Sequence, residues 1–112
     1  MGYQVRWIMV REVDIEAFAA ARREGALVLD VREAFEFAAG HVPGARWVPL
    51  GMLAGNLAAL PFGPAVMVIC ASGNRSRIGA ELLTRAGFEA ASVRGGTIAW
   101  SLSGRDLAAG TA

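Results

Sequence analysis

The chain has 112 residues, of which 54% are hydrophobic, and a formal net charge of +1 from 11 basic and 10 acidic side chains. A chain of this size folds as one domain that buries roughly 65% of its unfolded surface, which excludes intrinsic disorder and any need for covalent staples. Its balanced charge excludes a global case for nucleic-acid binding, and one cysteine with one histidine excludes an internal disulfide, a paired-cysteine redox motif and an ordinary zinc site.

In chain order, Met1 to Val10 carries Arg6 and lacks the long apolar core and small-residue cleavage site of a signal peptide, so it is read as part of the fold. Tyr3 to Val10, with Val5, Trp7, Ile8 and Val10, reads as a first strand. Asp14 is a candidate N-cap for a helix to about Glu24 that Gly25 stops. Leu27-Val28-Leu29 is a short buried strand ending at Asp30, and Glu33 to Ala38 a short helix closed by Gly40. His41-Val42-Pro43-Gly44 has turn chemistry. Arg46 to Val48 is a further strand, and Met52 to Leu60 a helix that Pro61 stops. The apolar run Ala65 to Ile69 reads as a buried strand, and Ile78 to Ala86 as an amphipathic helix with Gly87 as its cap. Ala91 to Val93 is a last strand, Gly95-Gly96 a turn, and a short helix runs through Trp100. From about residue 106 the Ala- and Gly-rich tail is expected to fray. Strands alternating with helices over short connections predict an α/β domain with a central parallel sheet and helices on both faces. No apolar stretch nears the roughly 20 residues that span a bilayer, so the expectation is a cytoplasmic protein without membrane contact.

The only cysteine, Cys70, stands where a strand ends and a helix begins, followed by Ala71-Ser72-Gly73-Asn74-Arg75-Ser76. Such a junction aims backbone N–H groups and the positive end of the helix dipole at the loop, and a thiolate there is stabilised. Successive N–H groups of a tight loop form a concave nest for an anion. Gly73 lets the backbone turn, Asn74 tolerates a left-handed conformation, and Ser72 and Ser76 offer hydroxyl donors. Arg75 either holds the loop by pairing with a carboxylate or faces the anion; the first is preferred, because a buried arginine without a partner is costly. Alkylation of Cys70 is expected to persist below the ordinary cysteine pKa of about 8.5.

These segments resemble a single-domain rhodanese, a sulfurtransferase, from about Val13 to Leu107. Leu29-Asp30-Val31-Arg32-Glu33 is similar to the family's LDVRE element and Phe37 to Ala45 to its GHIPGA element. Cys70 to Ser76 is similar to the active-site loop, often CRSGNRS, and Gly95 to Trp100 to the C-terminal GG-x-x-AW signature. The resemblance implies one rhodanese-like domain over residues 1–112 in which Cys70 is the nucleophile and persulfide carrier, with no cofactor and no metal. The implied donor is thiosulfate or a persulfide, and the implied acceptor a thiol, cyanide or a protein. One departure stands out: the second loop position, often arginine or lysine in the family, is Ala71, which lacks the charge to contact thiosulfate.

Two rival classes share the residues. Cysteine phosphatases use C-x5-R, whereas Cys70 to Arg75 is C-x4-R and position 76 is serine; arsenate reduction by an internal disulfide needs a second cysteine. A non-catalytic interaction module is the other alternative, although inactive relatives commonly lack the loop cysteine. Asp30 and Arg32 read as a strand-end ion pair or as substrate-steering groups, and Glu36 as a cap or the partner of an arginine near the loop. His41 reads as a structural hydrogen-bonding residue rather than a general base. Trp7, Trp47 and Trp100 read as packing residues, and Arg46, Arg77 and Arg94 as sources of positive potential or solvated side chains. Oligomeric state has no signature in the sequence.

Overall fold

The computed structural model describes residues 10–110, and the strand expected over Tyr3 to Val10 lies outside them apart from Val10. The elements are β1 (Glu12–Val13), α1 (Ile15–Arg23), β2 (Leu27–Asp30), α2 (Ala34–Ala39), β3 (Arg46–Trp47), α3 (Leu50–Leu53), β4 (Val66–Ile69), α4 (Asn74–Arg85), β5 (Ala90–Val93) and α5 (Gly96–Leu102). The strands form one five-stranded sheet in the order β1-β5-β4-β2-β3. All its pairings are parallel.

Strand alternation divides the core in two. Val66 and Val68 of β4 and Leu29 of β2 face Leu53 of α3 and Ala80 and Leu83 of α4. Met67 and Ile69 of β4 and Val28 of β2 face Phe18 and Ala19 of α1 and Trp100 of α5. Every residue of β4 is buried, which is why that segment reads as an unbroken apolar run rather than an alternating one. Each such side chain contributes about 1.5–3 kcal/mol on burial. Helices therefore cover both faces, and the carboxyl ends of β2 and β4 are left to present Asp30 and Cys70.

Local chemistry explains most boundaries. The Asp14 side chain accepts a hydrogen bond from the Ala17 N–H at 2.8 Å and starts α1. Glu33 and Glu36 form a reciprocal capping box at the start of α2.

Three expectations are corrected. The helix expected over Met52 to Leu60 is one turn of α3 followed by a 3₁₀ segment, Ala54–Ala59; Gly51 and Gly55 weaken the helical stretch. The helix expected from Ile78 starts a turn earlier, at Asn74. The tail from 106 is not frayed through Gly110: Ala108 bridges to His41, the Gly110 N–H donates to Ala38 O at 2.9 Å, and Trp100 Nε1 donates to Asp106 O at 2.8 Å.

Candidate active site

β4 delivers Cys70 to the end of the sheet with only 1% of its surface exposed. The chain then turns within three residues, because Gly73 adopts φ +109° and serves as the N-cap of α4. A side chain there would be strained and would press on the Gly95 backbone. The left-handed position thus falls on Gly73, not Asn74, which already begins the helix.

The turn folds N–H groups back onto the sulfur. Gly73 N lies 3.1 Å and Ser76 N 3.3 Å from Cys70 Sγ, and Ser76 Oγ lies 3.4 Å away. The first turn of a twelve-residue helix points at the same atom. Burial opposes the thiolate. Against it, the Ser76 hydroxyl and the N–H groups of Ser76, Gly73 and Ser72 hold the thiol below its ordinary pKa. Ser76 is thus the residue whose hydroxyl reaches the sulfur, whereas Ser72, offered as an equal donor, has an exposed side chain on the rim of the loop. Ala71 is half-buried and Asn74 exposed. The loop is open at its rim while the sulfur lies on its floor.

The other side of the loop is clamped by α5. The Thr97 N–H donates to Cys70 O at 2.9 Å and the Ile98 N–H to Ala71 O at 3.1 Å. These bonds satisfy the loop carbonyls from behind. Gly96 makes the approach possible: its φ is +57°, and a Cβ there would collide with the carbonyl oxygens of Cys70 and Ala71.

Arg75 pairs with a carboxylate. Its guanidinium grips Glu36 with both ends of the fork, Nη1 to Oε1 at 2.7 Å and Nη2 to Oε2 at 2.8 Å. The pair lowers the Glu36 pKa to about 2, chiefly through the Arg75 hydrogen bonds. Glu36 raises that of Arg75 in return. The two readings of Glu36 both hold, since its Oε1 also accepts from the Glu33 N–H at 2.9 Å.

Asp30 and Arg32 close on each other. Arg32 Nη2 lies 2.8 Å from Asp30 Oδ2 and 2.8 Å from Gly40 O, and the Arg32 N–H donates to Asp30 Oδ1 at 3.1 Å. Both residues are buried, and neither hydrogen-bonds to the loop.

The remaining candidates are also placed. His41 Nδ1 lies 2.8 Å from Phe37 O, with its ring stacked on Phe37. Trp47 Nε1 donates to Arg32 O, and Trp100 packs edge-on against Phe18. Arg77 and Arg94 share Glu12 at 3.6 and 3.7 Å. Arg46 reaches Ala59 O, and Trp7 lies outside the described residues. Beside the loop, a surface cleft of about 350 Å³ opens between α2, the start of α5 and the tail, bordered by Arg32, Phe35, Glu36, Thr97 and Leu107. No helix among the described residues is long and apolar enough to cross a membrane.

One residue at this site escaped the sequence reading. Ser92 of β5 is fully buried, with its Oγ 2.7 Å from Ser76 Oγ. The signal for it was a polar residue inside a buried strand.

The model of the rhodanese-like domain matches residues 14–103 of the chain. A sulfurtransferase of Allochromatium vinosum is 32% identical over 104 residues, which cover 90% of this chain and 97% of the relative. The thiosulfate sulfurtransferase GlpE of Pseudomonas putida is 36% identical over 86 residues, 76% of this chain and 78% of the relative. Among solved structures, the rhodanese-related protein of Thermoplasma volcanium superposes with a TM-score of 0.80 at 31% identity, covering 88% of this chain and 97% of that one. With a family match over most of its length, relatives above 30% identity and the same parallel sheet, the chain belongs to the rhodanese-like domain family.

Proposed function

We propose that the protein is a sulfurtransferase that carries sulfane sulfur as a persulfide on Cys70, taking it from thiosulfate or a persulfide and passing it to a thiophilic acceptor. The observation that carries this reading is the convergence of the Gly73 N–H, the Ser76 N–H and the Ser76 hydroxyl on one buried sulfur. In the first step the Cys70 thiolate attacks the outer sulfur of the donor. A new S–S bond forms, and sulfite or a thiolate leaves with the electron pair of the broken bond. In the second step the acceptor, a thiolate, cyanide or a protein nucleophile, attacks the outer sulfur and Cys70 leaves as thiolate. No electrons are gained or lost overall, so no cofactor enters. The anion nest serves both steps, since each begins or ends with negative charge on sulfur.

The donor follows from what the loop lacks. Ala71 supplies no cation beside Cys70, and Arg75 is committed to Glu36. A persulfide therefore suits this loop better than doubly charged thiosulfate. The same commitment weighs against phosphate chemistry, which needs an arginine free to grip the anion. The exposed rim of Ser72 and Asn74 leaves room for a protein acceptor. A lone free cysteine that must stay reduced fits the cytoplasm.

Intact-protein mass spectrometry tests the reading, after incubation with thiosulfate and, separately, with a small persulfide. The expected result is a gain of one sulfur atom from the persulfide, reversed by reductant and absent in Cys70→Ser. Efficient loading by dilute thiosulfate would overturn the donor preference. No gain from either donor would overturn the carrier and leave the interaction module, which Cys70→Ser would not impair.

A further inference from the structure

Behind the Ser76 hydroxyl that reaches the sulfur lies a second hydroxyl, that of Ser92, which the transfer steps above do not use. β5 alternates its side chains, with Ala90 in the core on the α4 face of the sheet and Ala91 and Val93 in the core on the other face. Ser92 shares the face of Ala90 and meets Ser76 of α4. An inward position between two covered faces ordinarily holds an apolar side chain, and a hydroxyl there is costly unless its hydrogen bonds are made. Both serines are fully buried. Ser76 Oγ is the one hydrogen-bond partner of Ser92 Oγ among the described residues.

Counting protons along the chain Cys70 Sγ, Ser76 Oγ, Ser92 Oγ shows which state of the sulfur this arrangement fits. Each hydroxyl has one proton to donate. With Cys70 as a thiol, S–H donates to Ser76 and Ser76 donates to Ser92. The Ser92 proton is then left with no acceptor among the described residues, and in the opposite orientation, with the sulfur accepting, the S–H is the proton left over. With Cys70 as an anion both directions reverse: Ser92 donates to Ser76, Ser76 donates to the sulfur, and every proton has an acceptor. The cysteine proton leaves to solvent, and the serines only rotate their O–H bonds.

We infer that Ser92 is a positioning residue whose hydroxyl turns the Ser76 O–H onto Cys70, favouring the anionic sulfur that the sulfur-transfer reading, on which this rests, requires. Among the described residues the charges on the elements around the sulfur are paired, Arg77 of α4 and Arg94 after β5 both with Glu12. β4, β5 and α5 bring no titratable side chain apart from Cys70, which follows β4. From α4 comes Arg75, neutralised by Glu36 of α2, and β2 ends in the closed Asp30–Arg32 pair.

The test is the pH profile of Cys70 alkylation by iodoacetamide, in which the thiolate forms an S–C bond and iodide leaves. This readout needs a reactive thiol but no sulfur carriage, so its failure is distinct from failure of the persulfide assay. Ser92→Ala is expected to move the midpoint up by about half to one pH unit, a loss of about threefold to tenfold in rate well below the midpoint. Alanine matches the neighbouring Ala90 and Ala91, and thermal unfolding checks that the fold is kept. Ser76→Ala is expected to move the midpoint at least as far, and adding Ser92→Ala to it to move it no further. An unchanged midpoint in folded Ser92→Ala would overturn the inference. So would a Ser92→Ala shift that persists undiminished without the Ser76 hydroxyl.

Discussion

Two arginine–carboxylate pairs stand at the carboxyl end of the sheet, and they are built in opposite ways. Asp30 and Arg32 are two residues apart, and their side chains are 0% and 6% exposed. They satisfy each other, the Arg32 N–H and the Gly40 carbonyl. Glu36 and Arg75 are 39 residues apart and keep 21% and 35% of their side-chain surfaces in water. The first pair closes the end of a strand and belongs to the core. The second straps α2 to the first turn of α4, beside the sulfur. The difference teaches that the same chemistry serves stability in one place and loop geometry in the other.

The largest expected effect separates them on stability. Asp30→Ala removes every acceptor that Arg32 uses except the Gly40 carbonyl and leaves a buried, unpaired guanidinium. A loss of about 3–5 kcal/mol is expected in denaturant unfolding. The midpoint of Cys70 alkylation is expected to fall less than in Glu36→Gln, because the Arg32 guanidinium left behind does not bond to the loop, whereas Arg75 is part of it. A loss under about 1 kcal/mol would show that the pair is solvated in a way its burial does not suggest.

Glu36→Gln should do the reverse. Its partial exposure admits screening, so the expected loss is smaller, about 1–2 kcal/mol at neutral pH. The neutral amide also leaves the Arg75 charge uncompensated next to Cys70, and the alkylation midpoint is expected to fall. If it does not move, the strap holds position only and adds nothing to the field at the sulfur.

The sequence reveals the first pair more readily than the second for a physical reason. Asp30 and Arg32 lie at the end of one apolar strand, where a local ion pair can be read from spacing alone. That Glu36 meets Arg75 depends on how α2 and α4 pack, and no local pattern specifies it. The same division runs through the fold. β2, β4 and α1 follow from apolar runs and from Asp14 as a cap. β1 has no local signal, because it is two residues long, carries Glu12, and exists only by pairing with Ser92 and Val93 of β5. The start of α4 lies a turn before the amphipathic stretch because the left-handed backbone of Gly73, a residue type typical of loops, is what begins the helix. The order in 106–110 depends on His41 and Ala38, far back along the chain. The proposed site around Cys70 can be read from sequence because the residues of its loop are contiguous. Ser92 cannot, because it reaches the sulfur only through Ser76.

Acid should distinguish the Glu36–Arg75 strap through its titration, the subtlest of these effects. Glu36 has a pKa of about 2 in the folded protein, held there chiefly by hydrogen bonds from Arg75. In the unfolded chain a glutamate titrates near about 4.3. The folded pKa is the depressed one, so the unfolded state takes up a proton first as pH falls. The stabilisation by Glu36 is therefore fully present above about pH 4.5 and is lost progressively towards about pH 2. Cys70, also depressed in the folded state, contributes in the same sense but at the other end of the scale: above its unfolded pKa of about 8.5 in full, fading as pH falls through its folded value. Urea unfolding at pH 6 and pH 3 of the wild type and Glu36→Gln, each also carried in a Cys70→Ser background so that the thiol drops out of the comparison, isolates the strap. The stability gap between the two proteins is expected to narrow by about half between those values. A gap that stays constant would mean that the strap owes its strength to packing and neutral hydrogen bonds rather than to the charge on Glu36.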